Sequence, residues 1–403
     1  MSKKNVSNTD SYRKLQENNG YYVDKTLFIK EFLESGSEIT LITRPRRFGK
    51  TLNMTMLRDF FDITQDSKAI FEGTNIMQTE YANKINSVPV IYLTLKGCNG
   101  QNIDVMLEKL ARTIKAEYDN YYDIFVNSEK ISKQVYREFI KYSSILEERD
   151  TKILIKTIDD MLYKLTQTIY EYYEIKPIVI IDEYDNPFIE AKVNGYYDDI
   201  RGILSDIFGN TFKGNDYIDK GVMTGIQRIA QESIFSKFNN PSVCTVVDIE
   251  YGDKFGLTEE ETREYFEYFG YELNDNVKQY YDGYNFSGND MYNPMSISSY
   301  IRKKGNLDSY WVNTSANTLI KDEIFAANED FKDDFNELIE KHSCVVDIEL
   351  KTTFAEMQSA STLWGLLLNG GYITIEEKMF DNSYRIRIPN KEVKSEFKRI
   401  VDN

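Results

Sequence analysis

Between residues 39 and 249 the chain alternates short apolar runs with longer stretches whose apolar residues recur at helical spacing. The apolar runs predict strands at 39–43, 88–95, 177–182, 219–224 and 243–249. The spaced stretches predict helices at 52–63, 103–118, 151–174 and 196–208. In the last of these, Ile200, Ile203, Leu204, Ile207 and Phe208 fall on one helical face. Runs that are apolar throughout suit strands covered on both sides, and strands alternating with helices imply a parallel sheet. Upstream, 21–35 reads as a helix with Asp24 as N-cap and Leu27, Phe28, Phe32 and Leu33 on one face. Residues 119–150 read as a possible mobile helical insertion, and residues 1–20 as a flexible tail.

Two of the predicted strands end in charged motifs. After EITLI comes TRPRRFGKT, Thr43 to Thr51, which then opens a helix. Gly49 allows close approach to phosphates, Lys50 can reach the terminal ones, and the Thr51 hydroxyl can hold magnesium. The helix N-terminus itself favours anions. The full phosphate-loop pattern asks for a glycine where Arg44 stands. Arg44, Arg46 and Arg47 form the chain's one dense basic cluster, and their forks suit phosphate oxygens and can compensate for that glycine. The second motif is PIVIIDEYD, Pro177 to Asp185. Asp182 at the strand end can hold magnesium, and Glu183 can orient or deprotonate water. Asp185 either orients the loop or caps a helix.

The motifs RPRRFGKT, VIIDEYDNP and MTGIQRIAQESIFSKFNN, in that order, resemble the AAA-ATPase-like family of prokaryotic P-loop proteins. YYVDKTLFIKEFL (Tyr21 to Leu33), and YYDGYNF, YNPMSI and YWVNTS between Tyr280 and Ser315, extend the resemblance over most of the chain. That family's own loop reads RPRRFGKS, so Arg44 is a family trait. The resemblance implies an α/β P-loop NTPase with a five-stranded parallel sheet of the ASCE/AAA-like type. It places strand 219–224 between the strands carrying the two motifs. It implies nucleotide binding by Arg44, Pro45, Arg46, Arg47, Phe48, Gly49, Lys50, Thr51, Leu52 and Asp182, with Mg2+ on Thr51 and Asp182. Glu183 would act on water, Thr224 would sense the γ-phosphate or hold the water, and Arg228 would stabilise transition-state charge in cis. Members commonly carry a C-terminal PD-(D/E)XK nuclease-like domain. This chain stops at Asn403, about where that part is expected to begin, so both a separate nuclease partner and a truncated chain stay open.

From about 252 the character changes. Thr258 and Glu261 form a capping-box signature. YYDGYNFSGND reads as a small hairpin, and YWVNTSANTLI as a strand or turn leading into a helix. A helix is expected near 355–369, then a hairpin turning at Asp381-Asn382-Ser383. The expected organisation is a tail (1–20), an ATPase domain (21–251) and a helical lid with a winged-helix-like module (252–403).

Composition narrows the function classes. A net charge of −16 speaks against a broad nucleic-acid surface. The single histidine, His342, leaves little for His-based metal or triad chemistry and reads as a helix-end residue. Cys98, Cys244 and Cys344 are dispersed and suit a reducing, cytoplasmic setting. No apolar run of about 18 residues predicts a membrane span. The 30 tyrosines suggest packing with hydrated hydroxyls. The expected function is ATP binding with slow Mg-dependent hydrolysis, switching a protein partner. The alternatives are a non-hydrolysing nucleotide-gated scaffold and, lower, part of a nuclease system. Oligomerisation is compatible with either.

Overall fold

Every residue of Ile39–Thr43 is buried, as are all five of Ile178–Asp182. Such strands have no wet face and must lie inside a covered sheet. The computed structural model describes residues 2–6, 9–126, 128–147, 150–229, 241–311, 323–351 and 359–402. Its main sheet contains β1 (Ile39–Thr43), β2 (Val90–Thr94), β3 (Ile178–Asp182), β4 (Lys220–Gly225) and β5 (Ser242–Cys244) in the order β2-β3-β4-β1-β5. All pairings are parallel. The chain is therefore an α/β protein with the five-stranded parallel sheet of a P-loop NTPase. β4 separates the strands that carry the two motifs, in register Thr43↔Gly225 on one side and Ile181↔Met223 on the other.

The helices Lys50–Phe61, Ile103–Val126, Thr151–Tyr173 and Tyr197–Phe212 correspond to the expected ones. The second runs past 118, and Lys133–Ser143 packs against it, with Phe139 stacked on Tyr118 at 5.2 Å. Residues 119–150 are thus built into the core where described. β5 stops at Cys244 because Asp248 takes Thr245 N–H and Oγ1 at 2.7 Å, turning the chain. The helix after Asp24 spans Leu27–Glu34 with Thr26 as N-cap. Asp24 instead accepts from Thr26 N and Oγ1, and reaches Asn75 N. Nor is the N-terminal segment loose: Tyr12 is fully buried, and its N–H donates to Thr55 Oγ1 on the phosphate-loop helix.

Beyond 251, β6 (Leu257–Thr258), β7 (Tyr284–Phe286) and β8 (Asn289–Tyr292) form a small antiparallel sheet. The capping box at Thr258 is formed. The β7–β8 turn uses Ser287 and Gly288, both at positive φ as a two-residue hairpin requires. Glu329–Lys341, β9 (Ser343–Asp347), Ala360–Gly370, β10 (Thr374–Phe380), β11 (Ser383–Arg387) and Lys391–Asp402 complete the chain, with sheet order β10-β11-β9. His342 is the left-handed C-cap of its helix. The segment after Trp311, expected to lead into a helix, lies outside the described residues. Among the described residues no helix is long and apolar enough to cross a membrane.

Candidate nucleotide site

β1 ends at Thr43, and the next six residues form a loop closed by the helix that begins at Lys50. Two positions in this loop are left-handed: Arg47 at φ 67° and Gly49 at φ 85°. Glycine adopts this conformation freely, whereas arginine needs its surroundings to hold it there. The Lys50 ammonium is buried and folds back to donate to the carbonyls of Arg44 and Pro45, each at 2.8 Å. Burial pulls its pKa down to about 8, against the opposing pull of Glu183, Asp185 and Asp182. The cation of the first motif therefore faces the carboxylates of the second. Thr51 and Leu52 lie half-buried in the helix's first turn.

Arg44 is fully buried, and its fork is engaged elsewhere. Nη1 donates to the carbonyls of Thr43 and Cys244, and Nη2 to those of Glu250 and Tyr251. Phe255 and Phe286 lie within cation–π range of its guanidinium. This differs from the expectation that the Arg44 fork compensates for the missing glycine on a phosphate. It ties the loop to β5 and the segment that follows. Arg47 donates to Tyr310 O, and the Arg46 carbonyl accepts from Asn293. The Phe48 ring is buried against Tyr284 and Phe286, so its side chain is not available to a ligand.

Asp182 is wholly buried at the end of β3. Its Oδ1 accepts from Thr224 Oγ1 at 2.5 Å, while Oδ2 is buried without a hydrogen-bond partner. The Thr224 hydroxyl thus addresses the carboxylate beside it. Glu183 follows at φ 53°, another left-handed non-glycine, which turns the chain sharply off the strand. Burial, and then the charge of Asp182, raise its pKa. Asp185 resolves its two readings in favour of the loop. As N-cap of Asn186–Asn194 it makes no side-chain cap bond, but Oδ2 accepts from Ile226 N and Gln227 N at 2.9 and 2.8 Å.

Sequence reasoning missed Tyr184. Its buried hydroxyl donates to Gln227 O and accepts from Ile229 N, so it clamps the same loop. Nothing in the sequence distinguishes this tyrosine from the others. Arg228 sits within the clamped segment, half-buried, with Nε buried and without a hydrogen-bond partner. The residues after it, 230–240, lie outside those described.

The model of the family described as "Predicted AAA-ATPase" matches residues 7–235, which takes in both motifs and β4. The chain belongs to this AAA-ATPase-like family. The AAA-ATPase-like chain is also 22% identical over 403 residues to an "Uncharacterized protein in vnfD 5'region" from Azotobacter chroococcum mcd 1. That similarity covers 98% of this chain and 69% of the relative. Membership supports a nucleotide-binding, ATPase-like protein. Among the described residues of this AAA-ATPase-like chain no cluster of three His, Cys, Asp or Glu side chains can hold a metal by itself. A small hard cation that keeps most of its waters needs no such cage.

Proposed function

We propose that the protein binds ATP at the 44–51 loop and hydrolyses it slowly with magnesium, as a switch acting on a protein partner. The observation that carries this reading is the Lys50 ammonium, buried at the loop and facing Asp182, Glu183 and Asp185. Magnesium fits the residues present, because Asp182 keeps one buried oxygen without a hydrogen-bond partner. Asp182 and the Thr51 hydroxyl would hold it. When bound, the ion supplies charge neutralisation at the phosphates.

The chain's own residues do the rest. Lys50 exchanges its two loop carbonyls for phosphate oxygens. The backbone amides of Arg46 to Thr51 line the loop and the helix start, and Arg46 brings a further cation. Glu183 accepts the proton of the attacking water. Its raised pKa makes it a stronger base than an ordinary glutamate. Thr224 fixes the rotamer of Asp182. Tyr184 and Asp185 fix the loop that carries Arg228. Turnover is slow because positioned charges carry most of phosphoryl transfer, and a partner has still to complete the set. The region beyond 251 would read nucleotide state as lid and winged-helix-like module.

A second reading, a nucleotide-gated scaffold with little hydrolysis, draws support from how much of the loop is packed against that region. Calorimetry with Mg-ATP and Mg-ADP tests the shared premise. Micromolar binding that is lost in Lys50→Ala supports both readings, and no binding at millimolar nucleotide rejects both. Glu183→Gln then separates them. It should retain binding and lose about a hundredfold or more in rate if Glu183 is the base. An unchanged rate leaves the scaffold.

A further inference from the structure

Four consecutive residues of the phosphate loop meet the chain beyond residue 251. Pro45 lies so close to Gly371 that a Cβ there would come within 2.8 Å of the proline Cβ. The Arg46 carbonyl accepts from Asn293 Nδ2 at 3.3 Å. Arg47 Nη1 donates to Tyr310 O at 3.1 Å. The Phe48 carbonyl accepts from Gly256 N at 3.0 Å, and its ring packs on Tyr284 and Phe286 at 4.9 and 5.0 Å. The left-handed arginine in the middle of this run persists only if its neighbours impose it.

The partner of Arg47 is itself held. Glu392, fully buried in the first turn of Lys391–Asp402, accepts from Tyr310 N at 2.5 Å and Trp311 N at 2.6 Å. Both of its oxygens also accept from Ser296 Oγ, at 3.1 and 2.8 Å. A buried carboxylate persists only with such partners. The peptide unit on each side of Tyr310 is therefore fixed: its N–H by Glu392, its carbonyl by Arg47. The Arg47 guanidinium also lies within electrostatic reach of Glu392.

We propose that Glu392 is a positioning residue of the nucleotide site, acting through Tyr310 on Arg47 and so on the amides of the loop. This rests on the nucleotide reading of that loop. It makes the site depend on a residue about 160 positions past the stretch matched by the family model. An isolated α/β core would carry both charged motifs and still hold its loop poorly.

The test uses the full chain with Glu392→Gln, Arg47→Met and the double variant. Amide hydrogen exchange over 44–51 without nucleotide is compared with Mg-ATP affinity and thermal melting. Each single variant should weaken Mg-ATP about tenfold, the size of one lost charge-assisted bond. The double variant should be no worse than the weaker single, because both act through one peptide. Exchange at 46–49 should quicken in both singles. Lower melting with unchanged loop exchange, or additive losses of affinity, would overturn the relay and leave Glu392 as packing. If Glu392→Gln does not fold, Ser296→Ala removes one of its bonds and must quicken the same amides. The exchange result judges the relay without nucleotide, whereas wild-type calorimetry judges the nucleotide reading.

Discussion

Thr224 donates its hydroxyl to Oδ1 of Asp182 across two neighbouring strands, at 2.5 Å. The bond selects one rotamer of a fully buried carboxylate and leaves Oδ2 as its second, unpartnered oxygen.

Thr224→Val keeps the shape of the side chain and removes the donor. Stability should fall by about 1.5–3 kcal/mol, the range for a hydrogen bond to a charged group. The magnesium concentration giving half-maximal ATP turnover should rise about tenfold, because Asp182 is then free to rotate. A magnesium titration of hydrolysis checks this. A curve superimposable on wild type removes Thr224 from the cation site and returns it to the role of γ-phosphate sensor.

Arg44 offers a second test, because its fork serves four carbonyls from three segments. Lysine has one donor centre and cannot reproduce that geometry. Arg44→Lys should lower unfolding stability by roughly 2–4 kcal/mol in denaturant melts, the cost of leaving buried carbonyls without donors. Nucleotide affinity of the folded fraction should change less than in Lys50→Ala. The opposite ranking would place the Arg44 guanidinium on a phosphate after all.

Lys50 predicts a pH signature. Its folded pKa of about 8 lies below the value of 10.5 for an exposed lysine. Between those two values the unfolded chain binds more protons than the folded one, so stability rises with pH across that window. Below about pH 8 the full cost of burying the charge is present. Lys50→Met should therefore unfold at higher denaturant than wild type at pH 7, and the gap should narrow from pH 8 towards 10. Equilibrium melts of both proteins at several pH values check it. A gap that widens with pH contradicts the depressed pKa.

The sheet was legible because its strands are apolar throughout and the motifs sit at strand ends. Even the placement of 219–224 between the two motif strands holds in the β4 pairings. The hairpins at 287–288 and 381–382 were legible from their turn residues. What escaped depends on contacts between distant segments. Asp24 looks like a helix cap, and only the neighbouring Thr26 and Asn75 reveal its other use. Arg44 looks like a phosphate ligand until the carbonyls at 244, 250 and 251 surround it. Glu392 is one of many glutamates near a C-terminus, and periodicity carries no sign of its grip on Tyr310 and Trp311.

The parked position of Lys50 also bears on how fast and how tightly the loop can capture an anion. A free lysine gives up close to 2 kcal/mol of rotamer entropy when it is immobilised. Here that loss belongs to folding, since the ammonium is already fixed between two carbonyls. On the proposed reading, an arriving phosphate would meet a charge that is preorganised and largely dehydrated, and association would reduce to an exchange of acceptors around a stationary donor.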